Sequence, residues 1–86
     1  MSLNTYRDEA GCFLEAIHAS DEPAEKKMMM LEQELNILRA NLHDSHTVSH
    51  QTYDLLFLLF EIASQYHIDL DSEWLSGQER KKEKYL

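Results

Sequence analysis

Apolar residues recur along this chain at the three- and four-residue steps of an α-helix, in four successive stretches. Tyr6, Ala10, Phe13, Leu14 and Ile17 mark one face of residues 4–19, with Arg7, Asp8, Glu9 and Glu15 on the others. Gly11 lies inside this helix at a cost of about 1 kcal/mol relative to alanine, and is expected to mark a close helix approach. Ser20-Asp21-Glu22-Pro23 then reads as a start signal. Ser20 or Asp21 can cap, and Pro23 fits the first turn, where its missing N–H is not needed. From Pro23 to about Leu42, the residues Ala24, Met28, Leu31, Leu35, Leu38 and Leu42 alternate steps of four and three, predicting a seam along one side. Met28, Met29 and Met30 read as flexible core filler.

His43-Asp44-Ser45-His46 is a tight break, with Asp44 or Ser45 as the cap of a third helix running to about His67. This is the most apolar part of the chain. Leu55 to Phe60 is an unbroken run of six large apolar residues, bordered by Asp54 and Glu61. A helix apolar on most of its circumference has to be covered on several sides. Val48, Thr52, Leu55, Leu59, Ile62 and Tyr66 form its predicted stripe. After a break at Ile68 and Asp69, residues 70–84 predict a shorter, more polar helix, with Gly77 in its middle.

The expected architecture is therefore all-α, a single domain over residues 1–86. It is a four-helix up-and-down chain whose two long central antiparallel helices form the core of a bundle. The second and third helices each carry more apolar surface than one partner covers, so the core is expected to be completed by dimerisation or a higher homo-oligomer. Two glycines and one proline in 86 residues fit long helices with short connections.

Composition narrows the function classes. A net charge of −8 argues against nonspecific nucleic-acid binding, which requires a basic patch. The six-residue apolar run is far below the roughly 20 residues of a membrane-spanning helix. No basic segment followed by an apolar one opens the chain, so a cytoplasmic location is expected. The charge is uneven: residues 1–79 carry 15 acids against 4 Lys and Arg, whereas Arg80, Lys81, Lys82 and Lys84 crowd the end against Glu83 alone. Cations at a helix C-terminus are favoured electrostatically, and the same cluster suits phosphate contact. Cys12 reads as a small buried apolar residue. His43, His46 and His50 straddle a helix break without a nearby cysteine, so solvated histidines are expected there rather than a zinc site. No Gly-rich phosphate loop and no nucleophile elbow are present.

One constellation remains: Glu32, Gln33 and Asn36 on the second helix, and Gln51 and Asp54 on the third. The segments Leu31-Glu32-Gln33-Glu34-Leu35-Asn36-Ile37, Gln51-Thr52-Tyr53-Asp54-Leu55-Leu56-Phe57, Ile62-Ala63 and His67-Ile68-Asp69-Leu70 resemble the MazG-like all-α nucleotide pyrophosphohydrolases over roughly residues 25–85. Those proteins carry Glu-Glu-x-x-Glu on one helix and Glu-x-x-Asp on the next, then an apolar run, a Gly-Ile-Asp-Leu-like turn and a basic last helix. The resemblance implies Mg²⁺-dependent hydrolysis of a nucleoside triphosphate to monophosphate and pyrophosphate. Glu32 and Asp54 would then be the catalytic metal ligands, with Glu61 supplementing their charge. Gln33, Asn36 and Gln51 would be neutral ligands or substrate contacts, and Arg80, Lys81 and Lys84 would meet phosphate.

The chain departs from that pattern where it matters most. Gln33, Asn36 and Gln51 stand where the family has glutamates, and an amide oxygen brings no charge to a metal. His67 replaces the turn glycine. A second reading is therefore a catalytically inactive helical dimer, kept as a nucleotide-sensing or protein-interaction module, whose amides form a polar seam that fixes register. A third is an acidic adaptor for a basic partner.

Overall fold

The computed structural model describes residues 2–86 and holds four helices: α1 (Leu3–Ala16), α2 (Ala24–Ala40), α3 (Ser45–Gln65) and α4 (Leu70–Tyr85). Each starts and stops for a local reason. Ser2 accepts the Thr5 N–H at the head of α1, Asp44 accepts the N–H groups of His46 and Thr47 at α3, and Asp69 accepts that of Ser72 at α4. The start of α2 differs from expectation. Pro23 itself is the cap residue, and no side chain of the Ser20–Glu22 segment bonds the exposed amides. Gly77 does not interrupt α4.

α1 and α3 end alike. His18 (φ 57°) and His67 (φ 54°) adopt the left-handed conformation usually given to glycine. In both turns the next amide closes back on the helix: Ala19 N–H donates to Leu14 O at 2.8 Å, and Ile68 N–H to Ala63 O at 2.9 Å. At the second turn histidine thus stands in a backbone conformation that usually favours glycine.

α3 is the centre of the molecule. α1 packs on it from one side and α2 from another, and α4 leans on α1. Against α1 the contact is close: a Cβ on Gly11 would collide with the Ser64 hydroxyl and stand 3.3 Å from its Cβ. Ala10 and Leu14 are buried around that approach, and the Phe13 and Phe57 rings meet edge to face at 5.5 Å. α4 is held by a clasp at its start. Asn4 Nδ2 donates to Asp69 at 3.0 Å while its Oδ1 accepts the Leu70 N–H at 2.8 Å, and Arg7 donates to Ile68 O at 2.7 Å.

The side of α2 that meets α3 is turned part-way from the predicted seam: Ala24, Leu31 and Leu38 of that seam are half-buried, and Met28, Leu35 and Leu42 are not. Lys27, Leu31, Glu34 and Leu38 turn inward, while Met28, Met29, Met30 and Leu35 are exposed. The α3 stripe is displaced in the same way: Gln51, Leu58 and Glu61 are buried, and Thr52, Leu59 and Tyr66 face out. Cys12, expected inside, is exposed. These shifts share one cause. Both helices have more apolar positions than contact surface, so polar residues with specific partners occupy part of the seam and apolar ones are left outside. The radius of gyration, 14.7 Å, exceeds the roughly 12 Å of a compact chain this long. No helix among the described residues is long and apolar enough to cross a membrane.

Candidate functional site

The antiparallel run of α2 against α3 brings together four polar side chains in two pairs. At one end Lys27, 2% exposed, places Nζ 3.4 Å from Glu61, 4% exposed, and 3.5 Å from Glu22 in the α1–α2 connection. Burial pushes the Glu61 carboxyl above its ordinary range, and the Lys27 ammonium pulls it back down. Glu22 is held below the ordinary range, first by its hydrogen bond from Lys26 at 3.0 Å. Gln65 closes this end by donating to the Glu22 backbone carbonyl at 2.8 Å.

At the other end lies Gln51, 5% exposed. Its Nε2 donates to the Glu34 backbone carbonyl at 3.2 Å and to the Glu34 carboxylate. A glutamate at position 51 has no N–H to give and would set a second negative charge against Glu34. The amide therefore has a structural reason to be there.

Between the two pairs a cleft of about 440 Å³ opens between α1 and α2, over α3. The rings of Phe13, Tyr53 and Phe57 and the carboxyl-bearing Glu34, Asp54 and Glu61 line it. Asp54 is half-buried, with Oδ2 3.2 Å from Nε2 of the exposed His50 one turn earlier.

The residues singled out in the sequence divide sharply. Gln51 and Asp54 lie on the working side of α3. Glu32, Gln33 and Asn36 are exposed on α2. At 100° per residue, Glu32 and Asn36 each stand about 200° from Glu34, on the far side of the helix from α3. Arg80, Lys81 and Lys84 lie on the exposed half of α4. Arg80 comes within 3.8 Å of Glu73, and Lys84 lies over the Tyr85 ring at 5.3 Å. Sequence reasoning passed over Lys27 and Glu34, which do the work at the seam. A signal was present: the two are seven residues apart and interleave with Leu31 and Leu38, so all four share one helical stripe.

Magnesium binds several convergent hard oxygens. Here Glu34 is engaged by Gln51, Glu61 by Lys27 and Asp54 by His50. Among the described residues no group of three or more His, Cys, Asp or Glu side chains is placed to hold a metal ion. In this arrangement the donor set does not match that preference. Comparisons with protein-family models, with curated proteins and with solved structures return no match.

Proposed function

We propose that this chain is a self-associating helical interaction module, a MazG-like scaffold whose central polar seam serves assembly and register rather than metal-dependent hydrolysis. The observation that carries this reading is surface area. The chain exposes 6553 Å², against about 5300 Å² for a folded monomer of 10.1 kDa. The surplus, on the order of 1200 Å², is more than the roughly 800 Å² each partner buries in a standard interface. Much of it is apolar: Leu56, Leu59, Tyr53 and Tyr66 on α3 and Met28 and Met29 on α2 are exposed.

The seam supports the second half of the reading. A buried lysine supplies the positive charge that a carboxylate site would otherwise draw from a cation, and Gln51 uses its amide protons as a glutamate could not. Polar pairs of this kind fix which residues face each other across two helices.

Sedimentation equilibrium between about 1 and 100 μM tests the reading, since a standard-sized interface gives micromolar or tighter association. A chain that stays monomeric throughout would overturn it.

One observation favours a second reading, magnesium-dependent nucleoside triphosphate pyrophosphohydrolysis: Glu34 and Asp54 border the same cleft. Calorimetry with Mg²⁺ or Mn²⁺, beside a nucleotide panel assayed for pyrophosphate, separates the two. Metal binding together with pyrophosphate release would replace the first reading with the second.

A further inference from the structure

The strongest unassigned feature is the end of α4. From Gln78 to Leu86 every residue is exposed, so this part of the helix is an arm of about 13 Å that its own chain leaves uncovered. Its recorded side-chain contacts stay within α4: Arg80 with Glu73, Lys82 with Glu79, Lys84 with Tyr85. The arm carries four of the chain's eight Lys and Arg against Glu79 and Glu83, and the rest of the chain carries 14 of the 16 acids. An arm so charged has an obvious electrostatic complement in a second copy of the same chain.

The cleft between α1 and α2 has the chemistry to receive it. Glu34 and Asp54, each already touched by one side chain, keep further lone pairs for a cation, and Phe13, Tyr53 and Phe57 supply aromatic rings. Ammonium and guanidinium groups are held by that combination, through charge-assisted hydrogen bonds and cation–π attraction together. On the arm, Arg80 and Lys84 stand one turn apart on one face, with Lys81 beside them. A cleft of about 440 Å³ takes side-chain heads of this size, though not a whole helix.

We propose that the basic half of α4 docks in trans, placing Arg80, Lys81 and Lys84 against the acidic aromatic cleft of a second copy, with the reciprocal contact made by that copy's arm. This rests on the self-association reading and deepens it, by naming the surface used. Under twofold symmetry the two arms and two clefts are satisfied together and the assembly closes as a dimer. The cation that enters the cleft is then a partner's side chain.

A charge exchange tests this on the full chain. In one variant the arm is reversed, Arg80→Glu/Lys81→Glu/Lys84→Glu; in the other a cation replaces one cleft carboxylate, Asp54→Lys, beside Glu34 and Glu61. Each alone should lose at least tenfold in association constant by sedimentation equilibrium. Mixed one to one, the acidic arm meets the cleft carrying Asp54→Lys and the basic arm meets the unaltered acidic cleft, so association should recover in part.

Zero-length carbodiimide cross-linking of wild-type chains, ¹⁴N- and ¹⁵N-labelled and mixed, needs no variant to fold. It should join Lys81 or Lys84 of one label to Asp54 or Glu34 of the other. If the wild type associates but neither variant weakens it, or if cross-links join only like-labelled chains, the arm has another occupant and the proposal fails while self-association stands. A monomeric wild type overturns both. Loss of association on adding inorganic phosphate at constant ionic strength, with no mixed-label cross-link, would assign the arm to a phosphate ligand and also overturn the proposal.

Discussion

Replacing Lys27 with methionine removes the charge at the buried end of the seam while keeping a long apolar side chain in place. Lys27 and Glu61 are both almost fully buried and 3.4 Å apart, and breaking such a pair from one side costs about 3–5 kcal/mol when the other charge must stay. Glu61 has an escape, because it can take up a proton. From its ordinary value of 4.5, protonation at pH 7 costs about 3.4 kcal/mol, and at pH 5 about 0.7 kcal/mol. These figures cap the loss, so Lys27→Met should cost about 2–3 kcal/mol at pH 7 and about 1 kcal/mol or less at pH 5. The sign follows from the direction of the shift. Glu61 is already raised by burial, and without Lys27 it rises further. A carboxyl with a raised folded pKa favours the fold below 4.5 and loses that contribution as pH climbs through the folded value. Urea or thermal unfolding at one fixed protein concentration reads the effect, as a fall of roughly 10–20 °C in Tm at pH 7. The double variant Lys27→Met/Glu61→Leu should return to within about 1 kcal/mol of wild type. A single variant that loses the same amount at both pH values, or a double variant no better than the single, would refute the ion-pair reasoning.

Three further outcomes are expected. Gln51→Glu should lose about 1–3 kcal/mol at pH 7 by removing two donated hydrogen bonds and facing Glu34 with a like charge; millimolar Mg²⁺ should not restore it, and calorimetry would detect the alternative. His67→Gly should stabilise by about 0.5–1 kcal/mol in thermal melts, because release of left-handed backbone strain exceeds glycine's added unfolded-state freedom; unchanged or lower stability would contradict the turn geometry. Asp44→Ala should lower Tm at neutral pH, and the difference from wild type should shrink as pH falls below 3.8. The hydrogen bonds from Thr47, its side chain first, hold the Asp44 carboxyl below 3.8, so its contribution is present above that value and vanishes as pH falls through the lower folded one.

The helix boundaries were legible because the punctuation is local. Asp44, one of the two expected caps, caps α3, and Asp69 of the expected break caps α4; α1 and α3 end at Ala16 and Gln65, two to three residues before the expected 19 and 67. Gly11 proved to be a close approach, as its position inside an amphipathic helix suggested. The facing of α2 was half legible. Ala24, Leu31 and Leu38 of the predicted seam turn inward, but seven-residue spacing links Lys27 and Glu34 as well as Met28 and Leu35, and apolar preference set the second pair inside in place of the first. Only the partners decide between them, Glu61 for Lys27 and Gln51 for Glu34, and those lie 34 and 17 residues away along the chain. Asp54 and Gln51 were read to the correct side of α3. Glu32, Gln33 and Asn36 were placed by motif resemblance, which carries no information about which way α2 is turned.

That α1 and α2 meet α3 from different sides has a consequence for the order of assembly during synthesis. The α2–α3 hairpin closes over short separations, such as the 17 residues between Glu34 and Gln51. α1 must instead reach across the α2 segment, as between Tyr6 and Phe60. The longer closure costs about 1 kcal/mol more in chain entropy. Of the four helices α1 is made first, and its apolar face lacks its α3 partner until α3 has been translated. At roughly 5–20 residues per second that wait lasts roughly 3–10 s. During it, Ala10 and Leu14, buried in the folded chain, are uncovered on a helix too short to be stable alone, which leaves α1 open to capture by a chaperone.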